Sequence, residues 1–199
     1  REVNMLIGLK CMEIDEFLRR QMEKITKKHT TSVVANSLSS FLALLSETIH
    51  CFLLAAEEAS KNALLLVLEN EKHQKALPDS IRRRHEKGQH FLLRGRAQYN
   101  IGQALFEQSQ CQFVRNRTEK RRLLRKASEE FEDSLNSANL CRGNSTAIYG
   151  HADAGLVDSD SGSATWTSKA TRQSFDALQH SSMTRRLYGK CLWELGETE

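Results

Sequence analysis

The residues of this chain best equipped for chemistry are its histidines, cysteines and hydroxyl side chains, and their spacing limits what they could do. His85-Glu86 followed by His90 approaches the helical motif in which two histidines hold zinc and the glutamate between them acts as a base. That motif needs the second histidine one residue earlier. At the spacing present the rings leave a helix about 500° apart, on different faces, so no metal site is expected. His29, His50, His73, His151 and His180 have no partner at ligand spacing and read as surface or helix-packing residues. Cys11, Cys51, Cys111, Cys141 and Cys191 are odd in number, widely spaced and free of any Cys-x-x-Cys pair. They point to reduced, mostly buried thiols rather than to a zinc site or a disulfide framework. No Ser/His/Asp grouping and no Gly-rich phosphate loop stands out, so no catalytic residue and no cofactor is assigned.

Two modification patterns have equally plain structural readings. Arg125-Lys-Ala-Ser128 resembles a basophilic kinase site, yet it falls where a folded helix is expected. Asn144-Ser-Thr146 fits the glycosylation acceptor pattern, which a protein with reduced thiols would not present to that machinery. Two basic runs, Arg82-Arg-Arg-His-Glu-Lys87 and the cluster Arg115, Arg117, Lys120, Arg121, Arg122, Arg125 and Lys126, could meet phosphates or serve as import signals. Glu86, Glu119, Glu129 and Glu130 dilute them, and no aromatic residues interleave for base stacking. The net charge of +4 permits anionic partners without requiring them.

The elements that would carry these residues are helices. One proline, Pro78, in 199 residues leaves little material for the turns of a sheet-rich fold. Residues 2–28 read as a helix with Ile14, Phe17, Leu18 and Met22 on one stripe. Thr30, Thr31 and Ser32 offer capping hydroxyls for a second. In that second helix Leu38, Leu42, Leu45, Ile49, Phe52, Ala56, Ala59, Ala63 and Leu66 alternate steps of four and three. This is a heptad seam on a helix of about 45 residues ending before Pro78. Glu47, His50, Glu57, Glu58 and Lys61 interrupt its apolar stretch, so it is not expected to span a membrane. Residues 143–169, rich in Gly, Ser, Thr and Asp, read as a flexible loop, and helix is expected again from 170 to the end with a break near Ser181-Ser182. The chain opens on Arg1, and is expected to be part of something larger.

Two short patterns connect these helices to a family. Tyr99-Asn-Ile-Gly-Gln-Ala-Leu-Phe-Glu-Gln-Ser109 places the small Gly102 after Ile101, with Ala104 and Leu105 one turn on. Lys126-Ala-Ser-Glu-Glu-Phe-Glu-Asp-Ser-Leu135 puts Ala127, Phe131 and Ser134 on one stripe, so that two helices can cross closely and the large residues fill the space beside the crossing. These segments resemble the first and second helices of a tetratricopeptide repeat. Residues 185–199 look like another first helix, with Gly189 as its crossing residue, Leu192 the large residue after it and Gly196 the glycine of the turn. The resemblance covers about a third of the chain. Gly102 and Ala127 lie about a dozen residues farther apart than the standard repeat of about 34 allows, no proline follows Ala138, and the last copy stops at its turn.

The reading is therefore all-α: a long helical hairpin with a heptad stripe over 1–77, a tetratricopeptide-like pair with an extended turn over 78–142, the loop 143–169, and an incomplete last repeat over 170–199. The resemblance implies a non-enzymatic scaffold that docks a peptide or helix of another protein, in the cytoplasm or nucleus. It implies a groove lined by Tyr99, Asn100, Gln103 and Glu107 from the first copy and by Arg186, Lys190 and Glu194 from the second. The alternatives are a homodimer formed through residues 31–77 and a nucleic-acid-binding helical domain using the basic runs.

Overall fold

The computed structural model describes Glu16, Phe17 and Arg20 together with residues 32–74, 81–111, 116–153 and 163–198. Among these residues the regular structure is entirely α-helical: α1 (Ser32–Gln74), α2 (Ile81–Ser109), α3 (Arg117–Asp153) and α4 (Ser163–Thr198). The expected helix over 2–28 lies outside the described residues apart from Glu16, Phe17 and Arg20, as does Pro78. No described helix is long and apolar enough to cross a membrane.

Successive helices run antiparallel. α2 ends tightly, its last carbonyls taken up by the Gln110 and Cys111 amides at 3.1 and 3.0 Å and by the Ser109 hydroxyl bonded to Phe106. α3 starts on a side-chain cap, Asn116 Oδ1 accepting the Thr118 amide at 2.9 Å. α2 and α3 cross closely at Gly102. A Cβ built there would stand 2.9 Å from the Phe131 ring and 3.2 Å from the Ala127 carbonyl. The small residue, the aromatic and the alanine picked out in the sequence therefore meet at one crossing. Ile101, Leu105, Leu123, Leu124 and Phe131 close around it, with Cys191 arriving from α4.

Gly102 is the last of three. Gly88, Gly95 and Gly102 recur at seven-residue intervals on one stripe of α2, each filled from outside: Gly88 by the Gln173 side chain, Gly95 by Ser134, Ser137 and His180. α4 thereby reaches α2 as well as α3, running parallel to the former, and the Gln173 amide donates to the His85 carbonyl at 2.9 Å. Among the described residues α1 packs on α2, through Ile49, Leu53 and Ala56 against Ala104 and Cys111.

Four expectations change. The heptad stripe of α1 is real but rotated. Ile49, Ala56 and Ala63 are buried as expected, whereas their companions are Ser46, Leu53, Ser60 and Val67 rather than Leu45, Phe52, Ala59 and Leu66. Apolar residues occupy both sets, and only the position of α2 selects between them. The loop expected over 143–169 is largely helix, with α3 continuing to Asp153 and α4 beginning at Ser163. The polar side chains that suggest a loop are satisfied by the helix itself: Asn144, Ser145 and Thr146 donate to the carbonyls of Leu140, Cys141 and Arg142 at 2.8, 3.1 and 3.0 Å. Burial of Cys141, Ser145 and Ile148 on a single stripe then outweighs their weak helix propensity.

The break near Ser181-Ser182 is absent, since α4 is continuous. Gly189 is no crossing residue and Gly196 forms no turn: both lie within α4, and a Cβ on either would meet nothing within 4 Å. Leu192 is correspondingly exposed. α4 turns its other side to the core, burying Ala170, Gln173, Ala177, His180, Thr184 and Cys191.

Candidate docking surface

Between α2, α3 and α4 runs a buried polar seam that the sequence reading missed. The Ser134 hydroxyl donates to the Gly95 carbonyl at 2.8 Å, which leaves its lone pairs to accept from His180 Nε2 at 3.0 Å. Ser137 donates to Gln98 Oε1 at 2.8 Å, and the one Ser145 proton is shared between the Cys141 carbonyl and Gln173 Oε1, each at 3.1 Å. A serine beside a histidine suggests an activated nucleophile, but the proton directions are wrong for one. The serine proton is already committed to a backbone carbonyl, so the ring acts as donor and cannot take it. Burial lowers the ring's pKa to about 4, with Arg96 adding to the effect. The seam aligns helices: each pair crosses between elements, and slipping one helix by a turn would strand buried polar atoms. The available signal was Ser134, Ser137 and Ser145 on one stripe of α3 and Gln173, His180 and Thr184 on one stripe of α4.

The remaining chemical groups are held in packing roles. Burial pushes the Cys141 and Cys191 thiols up to about 12, and the latter donates to the Leu124 carbonyl at 3.1 Å. Cys111 is buried too, while Cys51 is exposed. His85 stands edge-on to Trp166 at 5.8 Å, and Lys169 Nζ sits 4.4 Å above the same indole. Burial, then Lys169, lowers the His85 pKa. Among the described residues no group of three His, Cys, Asp or Glu side chains could hold a metal ion.

The residues assigned to a groove divide. Tyr99 is half-buried against Phe131, and burial raises its pKa while the neighbouring Arg186 guanidinium opposes the rise. Gln103 and Glu107 follow Tyr99 at four-residue steps along α2 and are partly exposed, and Arg186 and Lys190 are exposed on α4. Asn100 is not on that surface. It is 5% exposed and shares a stripe with Ala104 and Gln108, whose neighbours are on α1. Gln108 donates to Glu57 at 2.6 Å. Glu194 is engaged as well, paired with Lys120 of α3 at 2.9 Å. The structure thus brings Tyr99 and Arg186 together and turns Asn100 and Glu194 toward neighbouring helices.

The second basic run lines an open cleft of about 730 Å³ formed by Arg117, Thr118, Arg121, Arg122, Arg125, Lys126 and Glu129. Part of its charge is spent internally, Arg122 on Glu119 and Lys120 on Glu194. The first run borders a smaller hollow with Arg83, Arg84, Lys87 and Asn144.

No protein family, curated protein or solved structure matches this chain.

Proposed function

We propose that this chain is a non-enzymatic helical-repeat scaffold of tetratricopeptide type, working in the cytoplasm or nucleus, whose α2–α4 surface docks a peptide or helix of another protein. The observation that carries the reading is the crossing of Gly102 over Ala127 and Phe131, small residue against small residue with the aromatic beside it. The return of α4 onto α2 supports it further, because in such repeats alternate helices line one surface. On that surface Tyr99 supplies a rigid aromatic face, Gln103 can bond a peptide backbone, and Arg186 can grip a carboxylate in a bidentate manner.

A photo-crosslinking residue at position 103, compared with one at exposed Glu132 on α3, tests this in cells that express the protein. One protein captured reproducibly from 103 and not from 132 is the expected result. Capture from 132 with none from 103 would move the docking surface and refute the assignment.

A second reading is favoured by one feature of α1. Leu44, Leu54, Leu65 and Leu66 are exposed, and a homodimer through this helix would cover them. Light scattering that gives a monomer for both the parent chain and Leu54→Glu/Leu65→Glu removes that reading.

A further inference from the structure

Among the described residues nothing covers the outward side of α4, and its composition is specific. Phe175, Leu178, Ser182, Arg185, Gly189 and Leu192 are all exposed and alternate steps of three and four, the spacing of a seam that meets a second helix lying nearly parallel. Large apolar side chains stand at its two ends, where Phe175 is 66% and the adjoining Trp193 71% exposed, and Ser182, Arg185 and Gly189 lie between them. A Cβ on Gly189 would meet nothing within 4 Å, so one turn before Leu192 the seam has a gap where the backbone of another helix can approach. The charge is one-sided. Across residues 165–196 the exposed charged side chains are Lys169, Arg172, Arg185, Arg186 and Lys190, whereas the acidic Asp176 and Glu194 are half-buried and Glu194 is bound to Lys120.

We infer that this side of α4 docks an acidic amphipathic helix, an inference that rests on the scaffold reading and adds to it a second docking surface, separate from the one that carries Gln103. Leucine-sized residues of such a helix fit between the large ends of the seam, and carboxylates on its flanks meet Arg185, Arg186 and Lys190 in charge-assisted bonds. A second copy of α4 is a poor occupant, because symmetric pairing sets Arg185 and Arg186 against themselves. An anionic membrane is a poor one too. Interfacial insertion draws on a continuous bulky apolar face, and here Arg185, Ser182 and Gly189 interrupt it.

The test is selection by the intact chain from a displayed library of helices with leucine fixed at four-three spacing and all other positions random. The selected helices should be rich in Glu and Asp on both flanks. In a Trp166→Phe background their binding should shift Trp193 emission to the blue and weaken as salt rises. Gly189→Leu should lower affinity by about tenfold or more, since it fills the gap between Arg185 and Leu192, with helix content and melting temperature maintained. An empty selection, selected helices without net negative charge, undiminished binding to Gly189→Leu, or competition by anionic phospholipid vesicles would each overturn the inference. Helices that bind Gly189→Leu normally and lose affinity on Gln103→Ala would overturn it while leaving the scaffold reading in place.

Discussion

The rings of Tyr99 and His180 meet edge to face, centroids 5.6 Å apart, and this contact joins α2 to α4 across the top of the polar seam. Beneath it the imidazole is buried beside Gly95 and Ser134, away from the hydration that a charged ring requires.

The stability of the protein should therefore depend on pH through His180. Its folded pKa is depressed from 6.5 to about 4, so between these values the unfolded chain takes up a proton that the folded chain refuses. The contribution is complete above pH 6.5 and lost as pH falls toward 4, about 3 kcal/mol at most. Glu130 acts in the opposite sense. Burial, then Asp133, raises its carboxyl from 4.5 to about 7, so its contribution is present at low pH and lost as pH rises through that window. Chemical denaturation of Glu130→Gln and of Glu130→Gln/His180→Asn separates the two. The single variant should lose stability from pH 6.5 to 4.5 more steeply than the double, and equal slopes would show that the ring is not held neutral.

Two glycines should respond oppositely to the same substitution. Gly102→Ala drives a methyl group against Phe131 and should cost about 1–3 kcal/mol. Phe131→Leu in the same chain should recover part of that cost as a coupling between the two sites. Gly189→Ala meets open space in a helix interior and should stabilise by up to about 1 kcal/mol. Urea melts of Gly102→Ala, Phe131→Leu, the two combined, and Gly189→Ala decide the matter, and a neutral Gly102→Ala would contradict the close crossing.

Thiol labelling should follow burial. Cys51 is exposed and should react quickly with iodoacetamide at pH 8, while Cys141 and Cys191, pushed up to about 12 by burial, should react only as the chain opens. Mass spectrometry of the labelled peptides with increasing urea reads this directly. Early modification of Cys191 would show that α4 is not seated on α3.

On the docking surface, Gln103→Ala combined with Arg186→Ala should weaken partner binding by about 1–3 kcal/mol and leave the melting temperature unchanged. Asn100→Ala should instead act on stability, since Asn100 is buried on the stripe that faces α1. Calorimetry with the captured partner and thermal melts of both variants distinguish these outcomes. A loss of affinity in Asn100→Ala at unchanged stability would return that residue to the groove.

Much of this architecture is legible in local pattern. The long helix before Pro78, the all-helical class, and the meeting of Gly102 with Ala127 and Phe131 all follow from the spacing of small and large residues at helical periods, because a helix faces its neighbour with a stripe that sequence alone specifies. What tertiary structure decided is which of several stripes is used. On α1, Phe52 and Leu53 are equally apolar, and the choice between them depends on where α2 lies. On α4, Gly189 and Leu192 have the right types for a crossing, yet the helix buries the opposite side, where Gln173, His180 and Thr184 bond to α2 and α3 or stand beside Ser134. Residues 143–153 look like loop by composition and are helix because Ser145 and Ile148 are buried against α4. Asn100 and Glu194 likewise have the composition of groove contacts, but the energy of a polar group depends on its neighbours in space, and for these two the neighbours belong to other helices of the same chain.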